Sequence, residues 1–148
     1  MNRVAGHRRS VKKSGKNVGV EACRIPQELG QLIDDCRFWI EHNSYEPDQI
    51  AARFHHRLVW IHPYPNGNGR HGRLATGLLL VQLGLERFSW GSRNNIDTGV
   101  TREHYVTALQ EADRHNFQPL LEFVRSWRCS PFNRLNDLFS EVAINLAL

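Results

Sequence analysis

The sequence predicts a single, mainly α-helical domain with one small β-hairpin near its N-terminus. Apolar residues recur every three or four positions through most of the chain, which is the period of a helix with one buried face. Residues that start or stop helices stand between these segments, at Pro26, Pro47 and Gly84. A length of 148 residues is enough for one domain with a real core. We therefore treat residues 1–148 as one domain.

The first twenty residues form a basic arm that includes the expected hairpin. Residues 7–20 carry a turn signal, Ser14-Gly15-Lys16-Asn17, between short segments that are compatible with strands. The helical core is expected over residues 26–148. The positive charges of the arm are Arg3, Arg8, Arg9, Lys12, Lys13 and Lys16.

Two helices are expected before the centre of the chain. The first starts at Pro26 and ends near Asn43, and the second starts at Pro47, because proline suits the first turn of a helix. The inward positions expected for the first helix are Leu29, Leu32, Ile33, Cys36, Trp39 and Ile40. Those expected for the second helix are Ile50, Phe54, Leu58 and Ile61.

Four more helices are expected after the centre. The third runs from about Arg70 to Leu83 and ends at Gly84, residues 86–99 are irregular, and Thr101 caps the fourth. The third helix should bury Leu74, Leu78, Val81 and Leu85, and the fourth Tyr105, Leu109 and Ala112. The fifth should bury Leu120, Leu121, Val124 and Trp127. The sixth, from Ser130-Pro131, should bury Leu135, Leu138, Phe139 and Val142.

Composition narrows the class of protein. Cys23, Cys36 and Cys129 form no CxxC motif, which indicates structural thiols in a reducing cytoplasm. The sequence has no signal peptide and no apolar run long enough to cross a membrane. The net charge of +4 lies largely in the N-terminal arm, and no clear stacking aromatics accompany it. The arm is therefore interpreted as a solvated segment rather than as a nucleic-acid site.

The most informative segment is His62-Pro63-Tyr64-Pro65-Asn66-Gly67-Asn68-Gly69-Arg70-His71-Gly72-Arg73. It lies between two helix-like segments. A glycine-rich turn that opens a helix binds anions, because free backbone N–H groups and the helix dipole point at the ligand. Arg70 and Arg73 are three residues apart, share a helix face, and can bind one polyphosphate.

Three other interpretations of this segment are weaker or excluded. Gly67 to Gly72 matches the dinucleotide pattern G-x-G-x-x-G, with Glu86 near the place of a ribose-binding acid, but helical spacing precedes it where a strand is required. A Walker A loop is excluded because no G-K-[ST] follows. A zinc site is disfavoured because no His-x-x-x-His pair encloses a glutamate. The histidines of the region, His55, His56, His62 and His71, are instead expected at the surface or its boundary.

Taken whole, the segment resembles the signature of the Fic (Fic/Doc, Fido-fold) family, H-x-F-x-[D/E]-G-N-G-R-x-x-R. It matches at six positions, His62, Gly67, Asn68, Gly69, Arg70 and Arg73, with Tyr64 in the phenylalanine position and Asn66 in the acid position. Residues 7–20 resemble the family's flap, and the segment from Tyr105 to Leu121 resembles the family's continuation after the motif. Residues 53–73 especially resemble a bacterial subgroup called "mobile mystery protein B". The resemblance implies a Fic-type helical domain with a central helix, motif loop and helix.

The resemblance implies transfer of AMP from ATP to a Ser, Thr or Tyr hydroxyl of a target protein. A protein hydroxyl is a weak nucleophile, so a base must remove its proton, and a histidine ordinarily titrates near working pH. His62 is the implied base, and Asn68 and Arg70 complete the implied catalytic set. The implied nucleotide-binding residues are Gly67, Asn68, Gly69, Arg70, Arg73, Tyr105 and Asp113.

Asn66 is where the chain departs from the family pattern. The family's acid at this position coordinates Mg²⁺, which prefers anionic oxygen ligands. The amide oxygen of Asn66 is the implied weak metal ligand, so binding of Mg²⁺ or Mn²⁺ should depend more on the phosphates of the nucleotide. The alternatives left open are transfer of phosphate or of another nucleotide moiety, and a non-catalytic nucleotide-binding module. An accessory protein that acts on nucleic acid through the basic arm is a third class.

The resemblance also implies partners. A target segment would add to the edge of the flap, residues 7–20, where Lys12, Lys13 and Lys16 favour an acidic target. The family's inhibitory pattern [S/T]-x-x-x-E-[G/N] has its nearest match from Thr107 to Glu111, which is interpreted as chance because Ala112 follows. The chain starts almost at the flap, so an N-terminally incomplete or compact domain is expected. An inhibitor would then lie on other residues or on a separate protein, and a homo-oligomer is left open.

Overall fold

The computed structural model describes residues 19–91 and 98–126, and these residues are mainly helical. The helices are α1 (Ile25–Glu41), α2 (Pro47–Ile61), α3 (Asn68–Gln82), α4 (Thr98–Asp113) and α5 (Gln118–Arg125). A single 3-10 turn, Ala22–Arg24, leads into α1. α2 packs against α1, α3 and α5, and α4 packs against α5. The prediction of a mainly helical domain is confirmed, with α2 at its centre.

Two predicted elements lie outside the described residues. Most of the hairpin expected over residues 7–20 precedes residue 19, and the described residues contain no strand. The sixth helix expected after Ser130, together with Trp127 and Cys129, also falls beyond the described ranges. Both elements stay predictions.

α1 and α2 start where the sequence places them, with a proline in the first turn of each helix. α1 buries a stripe spaced by three or four residues, Ile25, Glu28, Leu32 and Cys36. The prediction for Ile33 is wrong, since 48% of this side chain is exposed. One residue beyond Leu32 is a rotation of about 100° around the helix, which turns Ile33 out of the stripe.

A buried carboxylate joins α1 to α2. Glu28 is only 5% exposed, and its two oxygens lie 2.6 Å from Nη2 of Arg24 and 2.5 Å from Nη2 of Arg57. A charged group leaves water at little net cost only when it is paired and hydrogen-bonded. The two arginines supply that pairing, and Arg57 lies on the helix that leads to His62.

α3 presents a different face to the core from the one predicted. Leu74, Leu78 and Val81 are 59%, 53% and 53% exposed, so the prediction that they point inward is wrong. The helix instead buries Gly72, Thr76, Gly77 and Leu80, together with Asn68 at its start. A β-carbon on Gly72 would lie 3.0 Å from Cγ2 of Val59. Small residues on this face therefore allow α3 to approach α2 closely.

α4 and α5 close the domain over α2. The core between them consists of Ala51, Ala52, Leu80, Phe88, Ala108, Ala112, Leu120 and Val124. Arg125 at the end of α5 forms an ion pair with Asp48 in the first turn of α2. α4 begins at Thr98, so the prediction that Thr101 caps it is wrong, and Thr101 lies inside the helix. Gly84 ends α3 as predicted, with φ of +75°.

The described helices do not meet the length and apolarity that a membrane span requires. The longest, α1, has 17 residues and carries charged side chains along its outer face, whereas spanning takes about 20 predominantly apolar residues. Cys23 and Cys36 are free thiols, and burial raises the pKa of Cys36 above its ordinary value.

Candidate active site

His62 ends α2 in a left-handed backbone conformation, with φ of 55° and ψ of 56°. Its N–H still bonds to the Leu58 carbonyl at 3.3 Å, so the residue closes the helix while turning the chain out of it. Few residues other than glycine adopt this conformation, although histidine does so more often than most. Such backbone strain is concentrated at functional sites. The half-buried side chain lines the main cavity of the described domain.

The loop after His62 is closed by the side chain of Asn68. Its Oδ1 accepts a hydrogen bond from the Tyr64 N–H at 2.9 Å, and its Nδ2 donates to the Tyr64 carbonyl at 2.7 Å. Asn68 is only 4% exposed. The ring of Tyr64 meets the His71 ring edge-on at 4.7 Å, and burial lowers the pKa of His71. The structure thus places the amide of Asn68 inside the loop, where it fixes the position of the α3 N-terminus.

The N-terminus of α3 offers backbone N–H groups to an anion. Gly67 precedes the helix with φ of +80°, a conformation that calls for glycine. No side chain caps the helix, and its first turn contains no acidic residue. The first N–H groups of a helix lack intrahelical partners, and the helix dipole adds positive potential there. A β-carbon at Gly69 would meet nothing within 4 Å, so the first turn is open to a ligand.

Arg70 and Arg73 lie in and just after the first turn of α3. A β-carbon on Gly67 would lie 3.6 Å from Nη2 of Arg70, so this guanidinium extends along the loop. Arg73, one turn further along α3, lines the same cavity as His62. Both side chains are exposed. An anion at the helix start would therefore lie near two guanidinium groups.

One cavity of about 1000 Å³ is lined both by residues of the motif from His62 to Arg73 and by residues of α4. Its lining includes the predicted residues His62, Gly69, Arg73, Tyr105 and Asp113. Aromatic and aliphatic side chains from α2, α4, α5 and the segment after α3 also line this cavity, which suits the flat, apolar rings of a nucleoside. They include Val59, Trp60, Trp90, Val106, Leu109 and Phe123.

The other predicted residues lie beside this cavity rather than in its lining. Gly67, Asn68 and Arg70 belong to the turn that leads into α3, and Asn66 lies exposed in the loop before it. The structure therefore gathers all nine predicted residues around the start of α3 and the facing side of α4. It distinguishes those that face the cavity from those that shape the turn.

His55 is a functional candidate that the sequence did not reveal. The prediction of a surface or boundary position is wrong, because His55 is 0% exposed. Its Nε2 lies 2.8 Å from the Tyr105 hydroxyl and its Nδ1 lies 3.2 Å from Oγ1 of Thr76. Burial lowers the pKa of His55 to about 3 and raises that of Tyr105 to about 12. The available sequence signal is spacing, since His55 falls between the buried positions Ala51 and Leu58.

His56, the next residue, lies at the boundary of the domain as predicted and contacts another predicted residue. Its Nε2 lies 2.8 Å from Oδ1 of Asp113, which joins α2 to the end of α4. The two residues line one end of the cavity. Phe117 contacts the His56 ring edge-on at 5.4 Å. The carboxylate of Asp113, half exposed, is thus oriented by the histidine.

The described residues supply little for a metal ion. Within residues 19–91 and 98–126, no three His, Cys, Asp or Glu side chains lie close enough together to hold one. Near the anion-binding turn, the ligand foreseen from the sequence is the neutral amide oxygen of Asn66. Mg²⁺ prefers several hard oxygen ligands, usually including a carboxylate. The protein side of this site therefore does not fit a resident Mg²⁺ ion.

Glu111, which ends the possible inhibitory pattern on α4, is engaged away from the site. Its Oε1 lies 2.7 Å from Nη1 of Arg114, within the same end of α4. The interpretation of the match from Thr107 to Glu111 as chance stays a prediction.

A family model described as the Fic/DOC family matches residues 1–80 of this chain. Among curated proteins, the chain is similar to "Protein adenylyltransferase Fic" of Aedes aegypti, with 28% identity over 130 residues. That match covers 82% of this chain and 25% of the relative. The protein of the same name from Drosophila virilis is 31% identical over 102 residues, covering 67% and 20% of the two chains. The chain thus spans a fifth to a quarter of the length of these relatives.

Solved structures resemble this chain over most of its length. A Fic family protein from Desulfovibrio desulfuricans is 27% identical with a TM-score of 0.57, covering 82% of this chain and 38% of the other. A Fic domain containing signaling protein from Bacteroides thetaiotaomicron has a TM-score of 0.66 at 20% identity, covering 82% and 50%. The second likeness concerns the fold alone. The narrower resemblance to one bacterial subgroup stays a prediction.

Proposed function

The chain belongs to the Fic/DOC family, whose model matches more than half of it, and we propose that it transfers AMP from ATP to a hydroxyl of a target protein. The observation that carries this proposal is the meeting of His62, Arg73 and the open first turn of α3 in one cavity. A base, a cationic side chain and a set of backbone N–H donors then face the same ligand. The proposed setting is the cytoplasm, with which the free Cys23 and Cys36 are compatible.

In the proposed reaction, His62 accepts the proton of a Ser, Thr or Tyr hydroxyl as its oxygen attacks the α-phosphorus of ATP. The new O–P bond forms as the bond between the α-phosphorus and the bridging oxygen breaks, and pyrophosphate leaves. Binding alone does not require a base, so a histidine that lines the same cavity as the anion site supports a transfer reaction. The left-handed backbone conformation of His62 fixes the direction in which its side chain extends from the end of α2.

The phosphates are proposed to lie against the start of α3. Backbone N–H groups after Gly67 and around Gly69 bind the phosphate oxygens, and Arg73 neutralises charge from the cavity side. Arg70 reaches them along the loop. Asn68 acts on the reaction through the loop, since its amide is bonded to the Tyr64 backbone.

The nucleoside is proposed to lie against α4. Tyr105 and Asp113 line the cavity on this side, and apolar side chains such as Trp90 and Leu109 surround the space between them. The carboxylate of Asp113, oriented by His56, is an acceptor for an amino group of the base. The α4 side of the cavity thus combines apolar side chains with the charged groups of Arg102 and Asp113.

Mg²⁺, or Mn²⁺, is proposed to enter with the nucleotide and to be held mainly by its phosphates. The chain itself contributes a neutral oxygen at Asn66 and no carboxylate in the first turn of α3. Bound metal would supply charge neutralisation between phosphates. The same observation favours a second candidate function, a nucleotide-binding module without transfer activity, or a transferase that uses another phosphate-bearing donor.

The target is proposed to bind through the N-terminal flap, residues 7–20. Lys12, Lys13 and Lys16 favour a target whose modified hydroxyl lies in an acidic segment. A separate inhibitor protein and a homo-oligomer are compatible with this arrangement, whereas direct action on nucleic acid is not part of the proposal.

The test is incubation of the purified chain with ATP, Mg²⁺ and bacterial lysate, followed by mass spectrometry of the protein products. A target peptide that gains one AMP, and does not gain it with His62→Ala, supports the proposal. His62→Ala should still bind ATP, which shows that the loss concerns chemistry. ATP binding by the parent chain without transfer, in Mg²⁺ and in Mn²⁺, would support the non-catalytic module instead.

A further inference from the structure

We propose that His55 is a positioning residue for the nucleotide site. It accepts a hydrogen bond from the Tyr105 hydroxyl at one end of a directed chain of hydrogen bonds, and this leaves the Tyr105 oxygen as a hydrogen-bond acceptor for the nucleotide. The inference rests on the proposed function, since it concerns the nucleotide at that site. It goes beyond it by assigning a role to a buried residue that does not line the cavity. The chain crosses three helices, from Tyr105 on α4 through His55 on α2 to Thr76 on α3.

The direction of the chain is set at its α3 end. The Thr76 hydroxyl donates its single proton to the Gly72 carbonyl at 2.7 Å. Its oxygen can therefore only accept from the other neighbour, Nδ1 of His55, at 3.2 Å. Nδ1 of His55 must then carry the proton.

The other end of the imidazole follows from this assignment. A neutral histidine has one protonated and one bare ring nitrogen, so Nε2 of His55 is bare and accepts a hydrogen bond. The Tyr105 hydroxyl, 2.8 Å away, must be the donor. Burial keeps both groups in these forms, since the pKa of His55 is lowered to about 3 and that of Tyr105 is raised to about 12.

The consequence for a ligand concerns the oxygen of Tyr105. Its proton is already committed to His55, so the oxygen has only lone pairs to offer to a group in the cavity. An amino or hydroxyl donor of a nucleoside satisfies it, and a carbonyl does not. The packing preserves this orientation, because the His55 ring lies 4.3 Å from the Trp90 ring, which also lines the cavity.

The same chain ties the nucleoside side of the cavity to the phosphate side. Gly72, which receives the last hydrogen bond, precedes Arg73 on α3 and packs directly against His55. A β-carbon on Gly72 would lie 3.1 Å from Cε1 of the His55 ring. Displacing the imidazole would therefore disturb both Tyr105 and the first turns of α3.

Two substitutions of similar polarity separate this role from general packing. His55→Gln can place an oxygen near the position of Nε2 and so keep an acceptor for Tyr105. His55→Asn is shorter, reaches only the position of Nδ1, and leaves the Tyr105 hydroxyl without its acceptor. Tyr105→Phe removes the hydroxyl itself, and both histidine variants are combined with it in a double-mutant cycle.

The measurements are the dissociation constant of a non-hydrolysable ATP analogue, thermal unfolding, and ¹⁵N chemical shifts of the histidine ring. His55→Asn and Tyr105→Phe should each weaken binding on the order of tenfold. The double variant His55→Asn/Tyr105→Phe should bind no more weakly than either single variant, and His55→Gln should weaken binding less than about threefold. The shifts should show Nδ1 protonated and Nε2 bare. Additive losses, wild-type binding by folded His55→Asn, or protonation on Nε2 would overturn the proposal.

The outcome for the proposed function is read separately. If the parent chain binds the ATP analogue but transfers nothing, the proposed transfer fails while the cycle still tests His55. If the parent chain shows the expected tautomer but binds no nucleotide, the positioning role and the proposed function fail together. A lowered affinity at unchanged turnover, in an active parent chain, identifies positioning of the nucleotide rather than a part in the chemical step.

Discussion

The amide of Asn68 bonds to both the N–H and the carbonyl of Tyr64, so a side chain at the start of α3 closes the loop that precedes it. This contact holds the open N–H groups of α3 at a fixed distance from His62, which lies at the other end of the loop. The geometry thus gives Asn68 a structural role in closing the loop, which is distinct from direct binding of a phosphate.

Replacing Asn68 should therefore affect stability as well as activity. Asn68→Ala leaves the partly buried Tyr64 N–H without its partner, which costs about 1 kcal/mol or more. Asn68→Asp keeps an acceptor for that N–H but cannot donate to the carbonyl, so its effect on stability should be intermediate. Urea unfolding and the affinity for pyrophosphate measure the two consequences. Gln31→Ala, which removes an exposed side-chain pair with Asp35, is the control, and equal stability of Asn68→Ala and this control would contradict the role.

Acid should destabilise the fold through His55. Its pKa is lowered to about 3 from the ordinary value of 6.5, first by burial. Between these values the unfolded chain binds a proton that the folded chain excludes, so the stabilisation is complete above about pH 6.5 and is lost as pH falls toward 3. The free energy of unfolding should fall by up to about 1.4 kcal/mol per pH unit. Burial of His71 acts in the same direction.

Urea unfolding from about pH 7 to about pH 4 measures this slope. The groups that face His55 are Tyr105, Thr76 and, through their charge, Arg73 and His56. His55→Gln should flatten the slope, and His104→Gln, an exposed position on α4, should not. An unchanged slope in His55→Gln would show that other groups cause the acid sensitivity.

The two faces of α3 should respond differently to the same substitution. Leu80 is 0% exposed and Leu78 is 53% exposed. Leu80→Ala should cost about 2–5 kcal/mol through lost burial and a cavity, and Leu78→Ala should change stability by no more than about 0.5 kcal/mol. Denaturant unfolding of the two variants compares them directly. Equal losses would mean that something covers the outer face of α3.

Gly72 and Gly69 form a second matched pair. A β-carbon at Gly72 would meet Val59 at 3.0 Å and His55 at 3.1 Å, whereas one at Gly69 would meet nothing within 4 Å. Gly72→Ala should therefore destabilise the fold by about 1–3 kcal/mol. Gly69→Ala should leave stability unchanged or raise it by up to about 1 kcal/mol, because alanine favours a helix. Thermal unfolding tests both, and a stable Gly72→Ala would show that the α2–α3 contact can widen.

A carboxylate at position 66 should strengthen metal binding. Asn66→Asp adds an anionic oxygen beside the anion-binding turn, so the Mg²⁺ concentration for half-maximal AMP transfer should fall at least about threefold. Asn66→Gln keeps a neutral amide and serves as the control. Magnesium titrations of transfer rate, or of ATP affinity, provide the comparison. The same Mg²⁺ dependence in both variants would place the metal away from this residue.

The sequence predicts elements better than it predicts faces. Pro26, Pro47 and Gly84 mark helix boundaries through local backbone geometry, and the structure confirms these boundaries within a few residues. The prediction of the inward face of α3 is wrong because it followed the spacing of the large apolar residues on that helix. Close packing against α2 instead selects the face with Gly72, and this choice depends on the shape of the neighbouring helix.

The site shows the same division. The motif from His62 to Arg73 is local in sequence, and its residues are found around one turn. His55 was missed because its partners are 21 and 50 residues away and its polarity suggests a surface position. A polar residue in a buried stripe is recognised only when the groups that satisfy it are known. The pair of His56 with Asp113 is likewise non-local.

His55 lies within α2, and His62 follows it by seven residues at the end of the same helix. Seven residues correspond to a rise of about 10 Å along a rigid helix. The distance between the anchor of Tyr105 and the proposed base is thus set by a continuous helical segment. A nucleotide of the right length meets both ends at once, and a shorter or longer one cannot.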